Sequence, residues 1–387
     1  MAKDMSSYVE NLKRQAAQFQ DEIKRSKPYG LIRTYGDGMS SKEIESFLKR
    51  ETLQAYDFYS RDRKKGPDDK SSSDKQFERG LVVAKNIFLS FLMKLTPARR
   101  LFYVVALGSF LWGLYETSWL MMGVSFVILN LLLALELADK LLAKGELEIA
   151  RSIQVSLQPK VKPQLERLML SSHYQPAREV GGDYYDFALV GESRFTLILG
   201  DVSGKGMPAA LYAMKLQALF ELLGKTSLGP KDMLVEMNEV FCEKIRRDYF
   251  ITAVVGMMDF SNDQLSLARA GHNLPIHFDA SKGAVSWLNP KGLGIGMTKN
   301  PDFKALLEER TLSLGSEDLL LFYTDGITEA MNPQDQEFGN HRLERVLVEN
   351  AHRSVDEIKE RLLWSVTRFT EGAPLADDAT LVIAKMK

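Results

Sequence analysis

Cysteine and histidine are nearly missing from this chain. One cysteine, Cys242, and five histidines stand among 387 residues. A lone thiol excludes an intramolecular disulfide framework and any Cys-rich zinc site. Five histidines leave a multi-His metal centre poorly supplied. Net charge is also lacking: 50 Lys and Arg against 51 Asp and Glu give −1 at pH 7. A dedicated nucleic-acid binder would carry a large basic excess, so nucleic acid is not an expected partner. The opening MAKDMSSYVENLKRQ is polar throughout and does not read as a cleavable signal peptide. What is present is a 45% hydrophobic, 26% charged composition, enough for a sizeable core and more than one domain.

Charge is missing locally as well. Residues 101–135 hold one charged side chain, Glu116, between two uncharged runs, Leu101–Tyr115 and Trp119–Leu135. One straight helix of this length would reach roughly 52 Å, well beyond a hydrocarbon core of about 30 Å. Two helices joined by Glu116-Thr117-Ser118 fit better, each reaching about 22–26 Å. Trp112, Tyr115 and Trp119 cluster at that turn, as interfacial aromatics do. Arg99 and Arg100 precede the first run, and Lys140 and Lys144 follow the second. The expectation is a two-helix transmembrane hairpin over 101–135 in the cytoplasmic (inner) membrane, with both ends in the cytoplasm. The alternative is a buried helical hairpin of a soluble domain, which would ordinarily show a polar stripe.

Around this block the chain divides by texture. Residues 1–80 are polar, with helical patterns around Tyr8–Lys24 and Ser41–Tyr59 and a loop-like stretch at Lys64–Lys75; they show no chemistry. Residues 81–100 read as an amphipathic or juxtamembrane helix. Residues 136–158 read as a charged linker helix in which Leu135, Leu142 and Ile149 repeat at seven residues before Ser156 breaks the series. That short heptad signal suggests a homodimer contact, and the helix is either a signal transmitter or a passive spacer. From 159 to 387 short strands, glycine turns and helices alternate, which predicts an α+β domain. FTLIL (195–199), FITAVVGMM (250–258), Gln264–Arg269, LLLFY (319–323) and TLVIA (380–384) read as strands. Pro208–Leu223 and Lys231–Ile245 read as helices.

Acids stand where those strands begin and end. Gly181-Gly182-Asp183 precedes Tyr184, FTLIL runs into Gly200-Asp201-Val202-Ser203-Gly204-Lys205-Gly206, LLLFY runs into Thr324-Asp325-Gly326, and Asp377-Asp378 opens the last strand. A buried sheet would deliver such residues to one rim. Clustered carboxylates repel unless a cation neutralises them, and oxygen-only donors suit Mg²⁺ or Mn²⁺. Two such ions can activate water and hold a phosphate for in-line attack. Any single Gly-Asp pair is ordinarily a turn; four acid motifs beside strands are much harder to dismiss.

The ordered set EVGGDYYD (179–186), GDVSGKGMPAA (200–210), AGHNLP (270–275), YTDGITEA (323–330) and DDATLVIA (377–384) resembles the PPM-type metal-dependent serine/threonine phosphatases. Within them it is most similar to the bacterial SpoIIE/RsbU-like branch that regulates sigma factors, whose lead-in helix IARSIQVSLQP (149–159) resembles. The resemblance covers about 150–387. It implies a two-sheet β-sandwich flanked by helices, two Mn²⁺ or Mg²⁺ ions, and attack of a metal-activated hydroxide on a phosphoserine or phosphothreonine without a covalent enzyme intermediate. By that resemblance Asp201 and Asp183 are the catalytic acids. The metal ligands are Asp183, Asp201, the Val202 carbonyl, Asp325 and Asp377, with Asp378 and Glu329 as secondary candidates.

One departure concerns the proton donor. Where the eukaryotic phosphatases carry Asp-Gly-His-Gly, this chain has Asp201-Val202-Ser203-Gly204, so their histidine general acid is absent. His272 is the substitute chemistry suggests, and its competing role is to order a strand-end turn. Lys205 is either a phosphate contact or a solvent-facing lysine; Thr252 and Asn238 read as structural. The branch implies a phosphorylated anti-sigma factor antagonist as substrate. The rival functions are a membrane-anchored phosphoprotein-binding scaffold and a two-metal hydrolase of another phosphate ester.

Overall fold

A proline at its start and a polar turn at its end delimit the first long helix, α1 (Pro97–Tyr115), in the computed structural model, which describes Lys85 and residues 88–159, 165–191 and 193–387. The region expected over 1–80 lies outside the described residues, as do most of residues 81–87 at the start of the expected juxtamembrane helix. At the end of α1, Glu116 and Ser118 donate their amides to the Trp112 and Gly113 carbonyls, both at 2.9 Å. Thr117 takes a positive φ of 51°, and the chain enters α2 (Trp119–Leu157). Arg99 Nη1 near the start of α1 bonds Glu136 Oε2 of α2 at 3.1 Å.

The expected pair of membrane-crossing helices is corrected here. Among the described helices one, α2, is long and apolar enough to cross a membrane, with a mean hydropathy of 2.2 over its most apolar window. The reason lies at the helix ends. Arg99 and Arg100 are part of α1, so its uncharged stretch reaches only about 22 Å at the helical rise. The second run does not stop at Leu135. The linker helix expected over 136–158 continues it unbroken to Leu157, because ELADKLLAKGELEIA is built from strong helix formers. The change of composition is not a change of structure.

The chain divides into two compact units, Met1–Leu137 and Ala138–Lys387. In the second, strands β1 (Leu168–Gln175), β2 (Tyr184–Val190), β3 (Arg194–Val202), β4 (Ile251–Asp259), β5 (Gln264–Ala270), β6 (Ile276–Asp279), β7 (Ala284–Trp287), β8 (Glu309–Ser313), β9 (Leu319–Tyr323) and β10 (Ala379–Met386) form two antiparallel sheets. Sheet one has the order β1-β10-β9-β6-β7, and sheet two the order β2-β3-β4-β5-β8. The α+β sandwich expected over 159–387 is therefore present.

Its layers follow from period-two alternation within the strands. Phe195, Leu197 and Leu199 of β3 meet Leu320 and Phe322 of β9 and Val382 and Ala384 of β10 between the sheets. The alternate residues face outward onto helices. Ile198 packs with α3 (Met207–Leu223) and α4 (Pro230–Cys242). Leu319, Leu321, Leu381 and Ile383 pack with α7 (Gly339–Asn350) and α8 (Val355–Phe369). Two short helices, α5 (Asp302–Leu306) and α6 (Asp325–Thr328), complete the set. Strands buried on both faces read as unbroken apolar runs, which is why FTLIL, LLLFY and TLVIA stand out. α8 is started by a reciprocal cap between Ser354 and Glu357, the arrangement that satisfies two orphan amides at once.

Candidate active site

Strand register brings the acids to one rim. Tyr184 of β2 lies opposite Gly200 of β3, so Asp183 and Asp201 meet at one end of sheet two. Tyr323 of β9 lies opposite Leu381 of β10, and Thr324 N donates to Thr380 O at 3.0 Å. Asp325 and Asp377-Asp378 therefore meet at an end of sheet one. Two hydroxyls tie these ends together: Thr324 Oγ1 and Thr380 Oγ1 donate to Asp183 Oδ2 at 2.8 and 2.5 Å. Asp378 adds a clasp, its carboxylate accepting from Ala177 N at 2.7 Å and Gly182 N at 2.6 Å.

Gly182 must be a glycine. A Cβ there would stand 2.9 Å from the Val202 carbonyl oxygen and 3.5 Å from Asp201 Oδ1, inside the space the two strand ends share. Its own carbonyl accepts from Val202 N at 3.3 Å, which seats Val202 beside the acids.

The electrostatics are those of a cluster short of positive charge. Burial raises the Asp183 carboxyl well above the usual range, and the charge of Asp201 raises it further. Burial and then the charges of Asp325, Asp377 and Asp378 push Asp201 up to about 7. Asp325 is raised by burial and by Asp377. The Lys205 ammonium partly offsets this, pairing with Asp377 Oδ2 at 2.7 Å and donating to Ala376 O at 2.8 Å.

A pH dependence follows. An Asp201 that holds its proton to about 7 when folded, against 3.8 ordinarily, binds more protons folded than unfolded between those values. Stability of the cation-free protein should therefore fall as pH rises through that window and level off above it. Urea unfolding at pH 5 and pH 8 in chelator measures this. A midpoint that rises with pH over that interval would contradict the assignment.

The structure brings Asp183, Asp201, Val202, Asp325, Asp377 and Asp378 to the rim, with Lys205 and the exposed Glu329 at its edge. Glu329 closes α6, its amide donating to Asp325 O at 2.7 Å. Burial and the Asp325 charge raise its carboxyl. His272 stands differently. It is 3% exposed, its Nδ1 is 2.9 Å from Thr252 Oγ1, and burial pushes its pKa down to about 3. Burial thus disfavours the charged imidazolium at this position. Through Thr252, which lies opposite Asp201 in the β3–β4 ladder, the His272 ring is one contact removed from the acid rim. Asn238 donates to Thr298 O and Asn300 Oδ1, both at 3.0 Å.

Three positioning residues escaped the sequence reading. Thr324 and Thr380 flank the acids inside the quoted YTDG and DDAT motifs, so a signal for them was present. Gln154 gave only a weak one, a single amide in the run IARSIQVSL. Near the end of α2 it is 5% exposed. Its Nε2 donates to Gly181 O at 2.7 Å, and its Oε1 accepts from Gly181 N at 3.1 Å. Gln154→Ala strands both backbone groups and should cost about 1–3 kcal/mol, read as a lower urea midpoint.

The donor set fits hard divalent cations by its chemistry. All candidate ligands are oxygens, and Asp183 and Asp201 repel one another. Among the described residues no group of three or more His, Cys, Asp or Glu side chains is already arranged as a metal cage, and Lys205 holds Asp377.

Comparison with known proteins agrees with this architecture. The solved SiaA-PP2C domain of Pseudomonas aeruginosa shares the fold, with a TM-score of 0.56 at 21% identity over 65% of this chain and 99% of that one. Phosphoserine phosphatase RsbU of Bacillus subtilis is 28% identical over 244 residues, 63% of this chain and 71% of RsbU. Protein IcfG of Synechocystis is 29% identical over 270 residues, 61% of this chain and 41% of IcfG. The chain thus spans less than half of IcfG and about seven-tenths of RsbU. The family described as Stage II sporulation protein E (SpoIIE) matches residues 191–387, which takes in β3 to β10 and every rim acid except Asp183; the chain belongs to the SpoIIE family.

Proposed function

We propose that this protein is a metal-dependent phosphatase acting on phosphoserine and phosphothreonine in a protein substrate. The observation that carries it is the convergence of aspartates from the ends of two facing sheets onto one rim, with Asp183 and Asp201 set against each other. The naming of RsbU as a phosphoserine phosphatase supports the substrate class.

In this reading Asp183, Asp201 and the Val202 carbonyl would hold cations from sheet two, and Asp325 and Asp377 would hold them from sheet one. Two Mn²⁺ or Mg²⁺ ions, when bound, would supply Lewis-acid polarisation of the phosphate and a water acidic enough to serve as nucleophile at neutral pH. The chain's own residues do the rest. Thr324 and Thr380 hold Asp183 in one orientation, and Asp378 locks the Gly182 turn. Lys205 turns from Asp377 to phosphate oxygens. Glu329 borders the opening.

α2 anchors the protein in the cytoplasmic membrane with the phosphatase domain in the cytoplasm. Its charged half serves as linker and dimer contact. The substrate is a phosphorylated antagonist of an anti-sigma factor, in keeping with the sigma-regulating branch that the motifs resemble.

The test uses the full chain with phosphoserine and phosphothreonine peptides, with Mn²⁺, with Mg²⁺ and with chelator. Phosphate release that needs a cation is expected. Equal release in chelator, or none from either peptide with either cation, would sink the assignment. For the anchor, the protein should stay in the membrane pellet through a carbonate wash; full recovery in the soluble fraction would overturn it.

A further inference from the structure

A cavity of about 230 Å³ lies on the outer side of sheet one. Met169 of β1 packs in the cluster that includes α8, and Ser171 Oγ donates to Asp356 Oδ1 of α8 at 2.6 Å. By the strand's period of two, His173 faces that same helix layer. It lines the cavity with Leu363 and Val366 of α8, Ile327 of α6, Leu375 of the following loop, and Ala379 at the start of β10.

The lining has a distinct chemistry. No Lys, Arg, Asp or Glu contributes to it, so a charged ligand would find no counter-ion. Leu363, Val366, Ile327, Leu375 and Ala379 supply an aliphatic wall, and Gln175, Thr367 and Thr370 add uncharged polar groups. His173 Nε2 is buried and has no hydrogen-bond partner, although buried polar atoms in proteins are nearly always paired. Burial lowers the pKa of this imidazole, which keeps it neutral and able to accept or donate one hydrogen bond. Size limits the occupant. An apolar cavity of about 150 Å³ accommodates benzene, so this one takes a slightly larger molecule and not a drug-sized one.

We propose that this cavity is a binding site for a small uncharged molecule of about the size of indole, apolar in body and carrying one polar group that pairs with His173. The site is separate from the acid rim yet built on the same loops. Ile327 is two residues beyond Asp325, and Leu375 is two residues before Asp377. A ligand resting on both side chains orders the segments that deliver those carboxylates, so occupancy of the cavity and order at the rim are linked reciprocally.

Indole itself is the probe, added to the full chain without added metal. Equilibrium dialysis should show saturable one-site binding, and amide exchange over residues 370–379 should slow when indole is bound. Ala373 and Thr367 line the cavity with exposed side chains, so Ala373→Phe and Thr367→Phe can fill it without disturbing the core. Either one, in a protein that keeps its melting temperature, should weaken indole binding by about tenfold or more. Absence of saturable binding, binding that survives both substitutions, or unchanged exchange in that segment overturns the proposal.

Discussion

Asp201→Asn is expected to remove phosphatase activity and, at the same time, to stabilise the cation-free protein at pH 8. The two effects share a cause. Asp201 is placed in the reading above among the residues that would hold the cations. Losing its charge forfeits several kcal/mol of transition-state stabilisation, a fall of at least about 10³-fold in kcat at 1.36 kcal/mol per decade. Without cations the same charge is a burden, because burial and three neighbouring aspartates push its pKa up to about 7. A neutral amide ends that penalty, worth a few kcal/mol at pH 8, and should raise the melting temperature by several degrees. Opposite signs make the prediction discriminating, since a substitution that merely damaged the fold would lower both quantities. An Asn variant with wild-type turnover and reduced stability would contradict the placement of Asp201.

Gly326→Ala should be nearly as damaging by a steric route. Gly326 is buried in α6 directly after Asp325, and an added Cβ would overlap the Asp378 carbonyl and press on the Asp377 carbonyl. Both obstacles are backbone, so no rotamer change can relieve them. The loops bearing Asp325 and Asp377 must separate, at a cost of about 3 kcal/mol, the upper end for overpacking. Urea unfolding reads the stability loss, and turnover of the phosphoserine peptide reads the displaced carboxylates. Gly145→Ala in α2 is the control: nothing lies within 4 Å of its added Cβ, and it should be neutral or stabilising by up to about 1 kcal/mol. Equal tolerance of both substitutions would mean that the Asp325 and Asp377 loops are not held as described.

What the sequence made legible follows burial. Strands covered on both faces carry unbroken apolar runs, so β3, β4, β9 and β10 announce themselves. β8 is an edge strand with four of its five residues exposed, and β6 and β7 are four residues each, too short to show a period. α8 is absent from the expected elements although Val355, Ile358, Leu362 and Val366 carry a helical period in plain view. The acids were legible as motifs because each abuts a strand. The clasp at Asp378 was not, since its partners Ala177 and Gly182 lie about two hundred positions away. Nor could the sequence show that His272 is enclosed, because enclosure depends on which strands close over it. At the apolar block a shift in composition suggests a boundary, whereas backbone propensity carries α2 straight through it.

The strand order also dictates when this protein can become itself during synthesis. The meander β2-β3-β4-β5 pairs neighbour with neighbour and can form once residue 270 has emerged from the ribosome, which brings Asp183 and Asp201 together. β1 has a single partner, β10, in a register that sets Leu168 opposite Met386. Until that far segment emerges from the ribosome, β1 offers an unpaired edge, the kind that invites wrong pairing. The nascent chain therefore carries the acids of sheet two while those of sheet one are still untranslated, and a chain halted between β5 and β9 has no partner for β1.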